Sequence, residues 1–594
     1  MKKSLAAAVL VLCLGTGVQL ADAQTFAVEF FNGGGVNYNS RSASLADYDD
    51  DGDLDVFFQG AFGAQQLFSS NLAQTGSLSF TNVSNVLPAG LDSGSWSAAW
   101  GDYDGDRVLD VFVGQSNLGV TGDVLKGNGA SFLNTSASTG LDDPGFHQNV
   151  AWNDIDNDND LDLIIAMEGP ERHEIYLQDN GSFTPVGASV GFQVDFGTKA
   201  YGMAIGDTDG DGDLDIYIST CRGNNNVRNN FFENQLADTG VLSFVDIADT
   251  NGTQFMQNSY GSEFVDFDDD GDLDLYMTGA DGEPSKIFRN DGGNQFIDVD
   301  TITGNPLLSD TGGDLNGARA VDYDNDGDLD LFFHDQKPLN GNDVGRKLYR
   351  NDGNWQFTDV TAAEGLNTVN MGSYDSTWGD LDRDGDQDLL ATTNSTWNER
   401  LFLSDASTNG NHWLYVELEG PDHNSSGIGA TLYATINKGT PEERTLRREA
   451  NTNAGTFNQS DLPVHFGLGD ADTVDELRIE WRDGSSQTLY DIDSNQYLTA
   501  FAPNLLPGDY NGDGVVDAAD YTVWRDNWLQ FTPNGDGDGN GFVGNADYDI
   551  WRDNFGRTVD EILGPSSSNS QSVPEPAALL LGLIAGAAAI TRRR

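Results

Sequence analysis

The stretch Asp47-Tyr48-Asp49-Asp50-Asp51-Gly52-Asp53-Leu54-Asp55, followed by the apolar run Val56-Phe57-Phe58, decides the fold, because its pattern occurs seven times between Asp47 and Asp388. Later copies begin at Asp102, Asp154, Asp207, Asp266, Asp322 and Asp380, at intervals of 55, 52, 53, 59, 56 and 58 residues. Positions 1, 3, 5 and 9 are aspartate in every copy. In the first these are Asp47, Asp49, Asp51 and Asp55, and in the second Asp102, Asp104, Asp106 and Asp110. The third and fourth place Asp154, Asp156, Asp158 and Asp162, then Asp207, Asp209, Asp211 and Asp215. The fifth and sixth place Asp266, Asp268, Asp270 and Asp274, then Asp322, Asp324, Asp326 and Asp330. The seventh closes the series with Asp380, Asp382, Asp384 and Asp388. Position 7 is Asp53, Asp160, Asp213, Asp272, Asp328 or Asp386 in six copies, and there a backbone carbonyl would be the ligand. Position 6 is Gly in five copies, Arg107 in the second and Asn159 in the third.

Carboxylates at every second residue around a tight turn fold back on one point, where they repel unless a cation sits between them. Ca²⁺ suits such a site, since it takes six to eight oxygens in irregular geometry. No glutamate stands at position 12, and an apolar strand follows each loop instead of a helix, so these are not EF-hands. The repeat length fits one propeller blade. Each unit reads as strand, loop, strand, strand, strand, with an apolar or small residue two places ahead of the loop, as in Trp100, Trp152 and Trp378. The expected fold class is therefore mainly β: a seven-bladed β-propeller over residues 25–405 carrying about seven Ca²⁺. The seventh unit lacks a fourth strand after Arg400-Leu401-Phe402-Leu403, and Phe26-Ala27-Val28-Glu29-Phe30 is expected to supply it and close the ring. This region resembles the FG-GAP/VCBS repeat propellers, whose best-known members are integrin alpha head domains. The resemblance implies a Ca²⁺-stapled scaffold that binds through loops on one face.

The formal charge of −65 excludes binding to nucleic-acid backbones. Of two cysteines, Cys13 lies in the leader, leaving Cys221 without an intramolecular disulfide partner. The leader itself, residues 1–23, has Lys2-Lys3, the apolar run Leu5–Leu14 and Ala21-Asp22-Ala23, and reads as a signal peptide cleaved before Gln24. Rigidity taken from Ca²⁺ fits an extracellular setting.

Residues 411–503 are expected to form a small all-β domain. The strand Asn411–Leu418, the turn Gly427-Ile428-Gly429-Ala430, Arg447-Arg448-Glu449, His465-Phe466-Gly467-Leu468-Gly469 and the strand Glu476–Trp481 resemble the ASPIC/UnbV domain. His465 reads as a packed turn residue.

Residues 507–556 hold a different calcium phrase, Asp509, Asn511, Asp513, Asp517 and Asp520, followed by a helical stretch Tyr521–Trp528. A second copy has Asp536, Asp538, Asn540 and Asp547 before Trp551-Arg552-Asp553-Asn554. The two halves resemble a type I dockerin, which implies two further Ca²⁺ ions, a small α-helical domain and a cohesin-like partner. A Ca²⁺-folded spacer is the other reading. Beyond a linker (557–572), Val573-Pro574-Glu575-Pro576, the apolar run Ala577–Ile590 and Arg592-Arg593-Arg594 resemble the PEP-CTERM sorting signal. That implies processing by an exosortase-type enzyme and a destination at the cell surface or in the extracellular matrix.

No nucleophile elbow, zinc-protease motif or phosphate-binding loop is present. The leading reading is a non-enzymatic, calcium-stabilised interaction or adhesion protein for an extracellular glycan or protein ligand. The competing reading is a polysaccharide-acting, lyase-like enzyme with its site in the propeller channel. Six positions ahead of each loop stand Arg41, Trp96, Gln148, Tyr201, Tyr260, Asn316 and Tyr374. On seven innermost strands these would circle the channel mouth, either to stack on sugars or grip a peptide, or simply to fill the channel.

Overall fold

Each aspartate loop is the turn of a hairpin, and the register is the same in all seven. The residue two places ahead of the loop pairs with the residue just after position 9: Leu45 with Val56, Trp100 with Val111, Trp152 with Leu163, and likewise to Trp378 with Leu389. Alternation along a strand puts one of every two side chains into the layer between neighbouring sheets.

The computed structural model describes residues 26–558 apart from 31–39, 41 and further internal stretches, of which 304–314, 336–345 and 530–542 are the longest. The expected signal peptide and sorting signal, nearly all of the expected linker, Arg41, Asp513, Asp536, Asp538 and Asn540 lie outside the described residues, as do the side chains of Asn316 and Tyr374. Among the described residues, seven four-stranded antiparallel sheets follow one another along residues 27–403 in a propeller-like arrangement. The first strands of successive sheets pack side by side, and Ser373–Gly379 of the seventh packs against Ser42–Ala46 of the first. The seventh sheet takes its outer strand from the other end of the chain, with Ala27 opposite Leu403 and Phe30 opposite Arg400. Phe26, 2% exposed, anchors that strand against Tyr323 and Trp378.

The core lies between sheets. Trp100 packs on Phe57 of the preceding sheet, and Trp152 lies stacked 6.0 Å from Tyr103. Each such side chain contributes roughly 1.5–3 kcal/mol by burial. Single-turn helices absent from the sequence reading lie between third and fourth strands, as at Leu72–Thr75 and Leu236–Thr239, and end on left-handed Gly76 and Gly240.

The 411–503 stretch forms two sheets. His412–Glu419 lies between Val464–Gly469 and Gln496–Phe501, parallel to the latter. The other sheet orders Arg444–Glu449, Thr431–Ile436, Thr473–Glu480 and Ser486–Asp493. Leu414, Val416, Leu432, Leu446, Phe466 and Leu477 fill the space between them. His465 lies within a strand, not a turn, with its ring 4.7 Å from that of Tyr415.

Beyond it, helices Ala518–Asp526 and Asn545–Asn554 pack together. The first starts three residues before the expected Tyr521, because Asp517 and Asp520 form a capping box that satisfies the N-terminal amides. Each helix is tied to the start of the other: Trp524 Nε1 donates to the Gly544 carbonyl at 2.8 Å, and Trp551 Nε1 to that of Asp517 at 2.7 Å. Among the described residues no helix is long and apolar enough to cross a membrane.

Candidate metal centres in the seven aspartate loops

Three hydrogen-bond patterns repeat in every loop and assign a role to each aspartate position. Position 1 accepts the amide of position 6, as Asp47 does from Gly52 at 2.8 Å and Asp380 from Gly385 at 2.7 Å. This bond draws position 6 into the left-handed region, where Gly52 has φ 90° and the two exceptions, Arg107 and Asn159, have φ 63° and 74°. Five glycines at this position are thereby explained. Position 5 accepts the amide of position 7 and sets the turn, as Asp158 does from Asp160.

Position 9 is a latch as well as a potential ligand, which the spacing did not reveal. Its Oδ1 accepts an amide from the end of the third strand in all seven sheets, at 2.7–2.9 Å. Its Oδ2 accepts the amide of position 2 in six loops and the Thr208 hydroxyl in the fourth. These seven carboxylates are at most 1% exposed.

The remaining oxygens converge. Carboxylate atoms of Asp47, Asp49 and Asp55 lie within 4.8 Å of one another, as do those of Asp102, Asp104 and Asp110, of Asp154, Asp156 and Asp162, of Asp207, Asp209 and Asp211, and of Asp266, Asp268 and Asp274. At position 3, Asp49, Asp104, Asp156, Asp324 and Asp382 each bury a carboxylate oxygen that has no hydrogen-bond partner. Burial pushes Asp47 up to about 7, and burial together with neighbouring Asp211 and Asp207 pushes Asp209 to about 7. Asp110 rises to about 9 by burial, reinforced by Asp104 and Asp102. Carboxylates this crowded stay ionised only beside a cation, and the orphaned position 3 oxygens fit one.

The face carrying these loops is covered by the 411–503 domain. Residues of that domain or its approach bond to six of the seven loops, mainly at backbone carbonyls and at positions 4 and 6. Arg447 reaches the carbonyls of Asp207 and Gly271, Arg448 that of Gly327, and Asn411 that of Asp324. Arg444 bridges Asp269 and Asp328, and Arg482 bonds Asn157. Arg107, the non-glycine at position 6, reaches Glu419 at 2.9 Å, and Arg383 lies 3.9 Å over the Tyr497 ring. One contact goes to a position 1 carboxylate: Tyr497 donates to Asp380 Oδ2 at 2.7 Å.

From the same domain, Thr452, Phe457, Gln459 and Asp461 lie against the innermost strands. Thr452 bonds the backbone of Trp152, the Gln459 carbonyl accepts from Leu45, and the Asp461 amide donates to Trp378. Phe457 reaches the strand starts, 5.5 Å from Trp96 and in a cluster with Tyr201 and Tyr260. Of the ring residues, Trp96, Tyr201 and Tyr260 thus pack against Phe457. Tyr201 and Tyr260, 5% and 3% exposed, pack edge to face at 4.7 Å, leaving neither ring open for a sugar. Gln148 is buried and bonds Glu168, which also accepts the Tyr201 hydroxyl and pairs with Lys199. Arginines at positions 444, 447 and 448 were the signal for this docking that the sequence reading passed over. Burial pushes His465 down to about 3, so it packs as a neutral ring.

In the two-helix unit, Asp520 accepts amides from Tyr510, Asn511 and Asp517, while Asp509 accepts that of Gly514 and Asp547 that of Gly544.

Two family models match the chain. Residues 420–504 match ASPIC and UnbV, and residues 47–113, 154–218 and 266–333 match the FG-GAP-like repeat. Mouse cartilage acidic protein 1 is 24% identical over 364 residues, covering 60% of this chain and 52% of that protein. The human protein of the same name is 26% identical over 204 residues, covering 33% of this chain and 30% of that one. The chain thus spans about half the length of the mouse relative or less of the others. Among solved structures, an Agrocybe aegerita lectin recognising non-reducing terminal N-acetylglucosamine has TM-score 0.36 at 18% identity, covering 55% of this chain and 81% of the lectin. An ulvan lyase of polysaccharide lyase family PL25 has TM-score 0.38 at 12% identity, covering 64% and 98%.

Proposed function

We propose that this chain, with its FG-GAP-like repeats followed by an ASPIC and UnbV domain, is a non-enzymatic extracellular interaction protein. Its seven loops would hold Ca²⁺ and staple a closed seven-bladed propeller. The observation that carries this reading is the repeated buried, partnerless oxygen at position 3, set among carboxylates no nearby side chain neutralises fully. Ca²⁺ fits better than Mg²⁺, because donors on one short irregular turn do not form a strict octahedron. Metal analysis and thermal melting of the intact protein test it. Bound calcium near one ion per loop and a melting point many degrees lower in EDTA are expected; an unchanged melt with no bound metal sinks it.

The ligand would be a glycan or a protein taken on the rim or on the face away from the loops, since the loop face already carries the second domain. A lyase-like activity in the channel is the other reading. Against it stands the packing of Phe457 among Trp96, Tyr201 and Tyr260, the aromatics that could have gripped a sugar. Turnover of acidic polysaccharides, run beside a glycan array, separates the two.

The leader and the Pro574-Glu575-Pro576 tail support export and exosortase-type processing in the cell envelope, and a mature C-terminus still ending at Arg594 would refute processing. The dockerin-like helices would bind two Ca²⁺ and either engage a cohesin-like partner or act as a folded spacer.

A further inference from the structure

The loops have two sides. Their carboxylates face inward on one point, while in six of them an outward carbonyl or side chain bonds the second domain. Both sides depend on the same nine-residue turn. When the inward carboxylates lose a cation they repel, and the turn can relax only by moving the outward carbonyls that Arg447 and Arg448 hold. At the seventh loop the link is direct. The Tyr497 hydroxyl donates to Asp380 Oδ2, Arg383 stacks on the same ring, and Trp413 lies against Gly385, where a Cβ would collide with the indole.

We propose that the 411–503 domain is a lid whose docking and the cation loading of the loops are one linked equilibrium, with Tyr497 as a positioning residue for the seventh site. This rests on the calcium reading above. Linkage is reciprocal: if cations favour the docked lid, the docked lid tightens cation binding by the same factor. The lid also sets Thr452, Phe457, Gln459 and Asp461 against the innermost strands, so undocking would withdraw Phe457 from Trp96 and its neighbours. Cation-depleted protein would then present Trp96, Tyr201 and Tyr260 on a surface that loaded protein hides.

Hydrogen exchange of the full-length protein across a series of free Ca²⁺ concentrations, with bound metal measured in parallel, tests this. Amides of Trp152, Leu45 and Asp461, which depend on the lid segment, are expected to lose protection as metal leaves. Those of Thr431–Ile436, inside the lid's own sheet, are expected to keep it. Tyr497→Phe keeps the ring and removes one hydrogen bond to a charged group, so one of the sites is expected to weaken about tenfold while the others hold. Arg444 contacts none of the carboxylates at positions 1, 3, 5 and 9, and Arg444→Ala is expected to raise the Ca²⁺ needed for docking.

Metal loss with the lid segment still protected overturns the coupling and leaves the calcium reading standing. So does loss of both sets of amides together, which would mean unfolding instead of undocking. Wild-type affinity at every site in Tyr497→Phe removes the positioning role. Failure to bind metal at saturating Ca²⁺ overturns both readings.

Discussion

Thr452 and Trp152 satisfy each other completely: the threonine hydroxyl accepts the Trp152 amide at 3.0 Å and donates to the Trp152 carbonyl at 2.8 Å. An innermost strand has a free edge toward the channel, and a single side chain from another domain serves there as its hydrogen-bonding neighbour. Thr452→Val keeps the shape and removes both bonds. Leaving two buried backbone groups unpaired costs about 1–3 kcal/mol each. Urea unfolding of the full-length variant is expected to show a loss of that order, and an unchanged midpoint would mean that water replaces the hydroxyl.

Positions 3 and 9 of one loop should respond differently to the same chemical change. Asp156 has an oxygen without a partner, whereas both oxygens of Asp162 hold backbone amides. In excess chelator, Asp162→Asn turns an amide NH₂ toward a donor and is expected to destabilise by about 2 kcal/mol. Asp156→Asn removes a repelling charge and is expected to be neutral or stabilising there, while losing calcium at one site. Equal effects in chelator would show that position 9 is no latch.

The N-terminal strand carries a prediction about association. A chain beginning at Ser40 lacks the partner of Arg400–Leu403 and exposes that strand's edge. Light scattering is expected to show self-association, with a broader unfolding transition. A monomer as stable as the parent would count against closure through this strand.

A buried histidine gives a pH dependence with a definite sign. The Met167 amide donates to His173 Nδ1 at 3.0 Å, and burial pushes the ring down to about 4. Unfolded histidine titrates near 6.5, so between these values the unfolded chain binds the extra proton. The contribution, at most about 3 kcal/mol, is fully present above 6.5 and lost as pH falls toward 4. At saturating Ca²⁺, His173→Gln is expected to flatten the stability profile across that interval; an identical slope would place the titration elsewhere.

Much of this was legible in the chain. The spacing of Asp47, Asp49, Asp51 and Asp55 exposed the loop because side-chain direction within a short turn is a local property. The pairing of Ala27 with Leu403 could be inferred because a strand was missing at one end and spare at the other. The latch at Asp55 was not legible: its partner, the Ser70 amide, lies on another strand, and amides carry no sequence signature. The lid was missed for a related reason. Arg107 stood out as an exception within its loop, but only the folded arrangement shows Glu419 opposite it, or Tyr497 opposite Arg383. Tyr201 and Tyr260 were located correctly on their strands, and Phe457, remote in sequence, decided what they face.

Joining residue 27 to residue 403 also orders events in time. The strand Ala27–Phe30 leaves the ribosome with no partner until nearly the whole repeat region has followed it. Intermediate lengths therefore carry an open edge at each stage, and the final step is a contact of very high sequence separation, the kind that folds slowly. A chain of this architecture is best kept unfolded through synthesis, then folded once, as a whole.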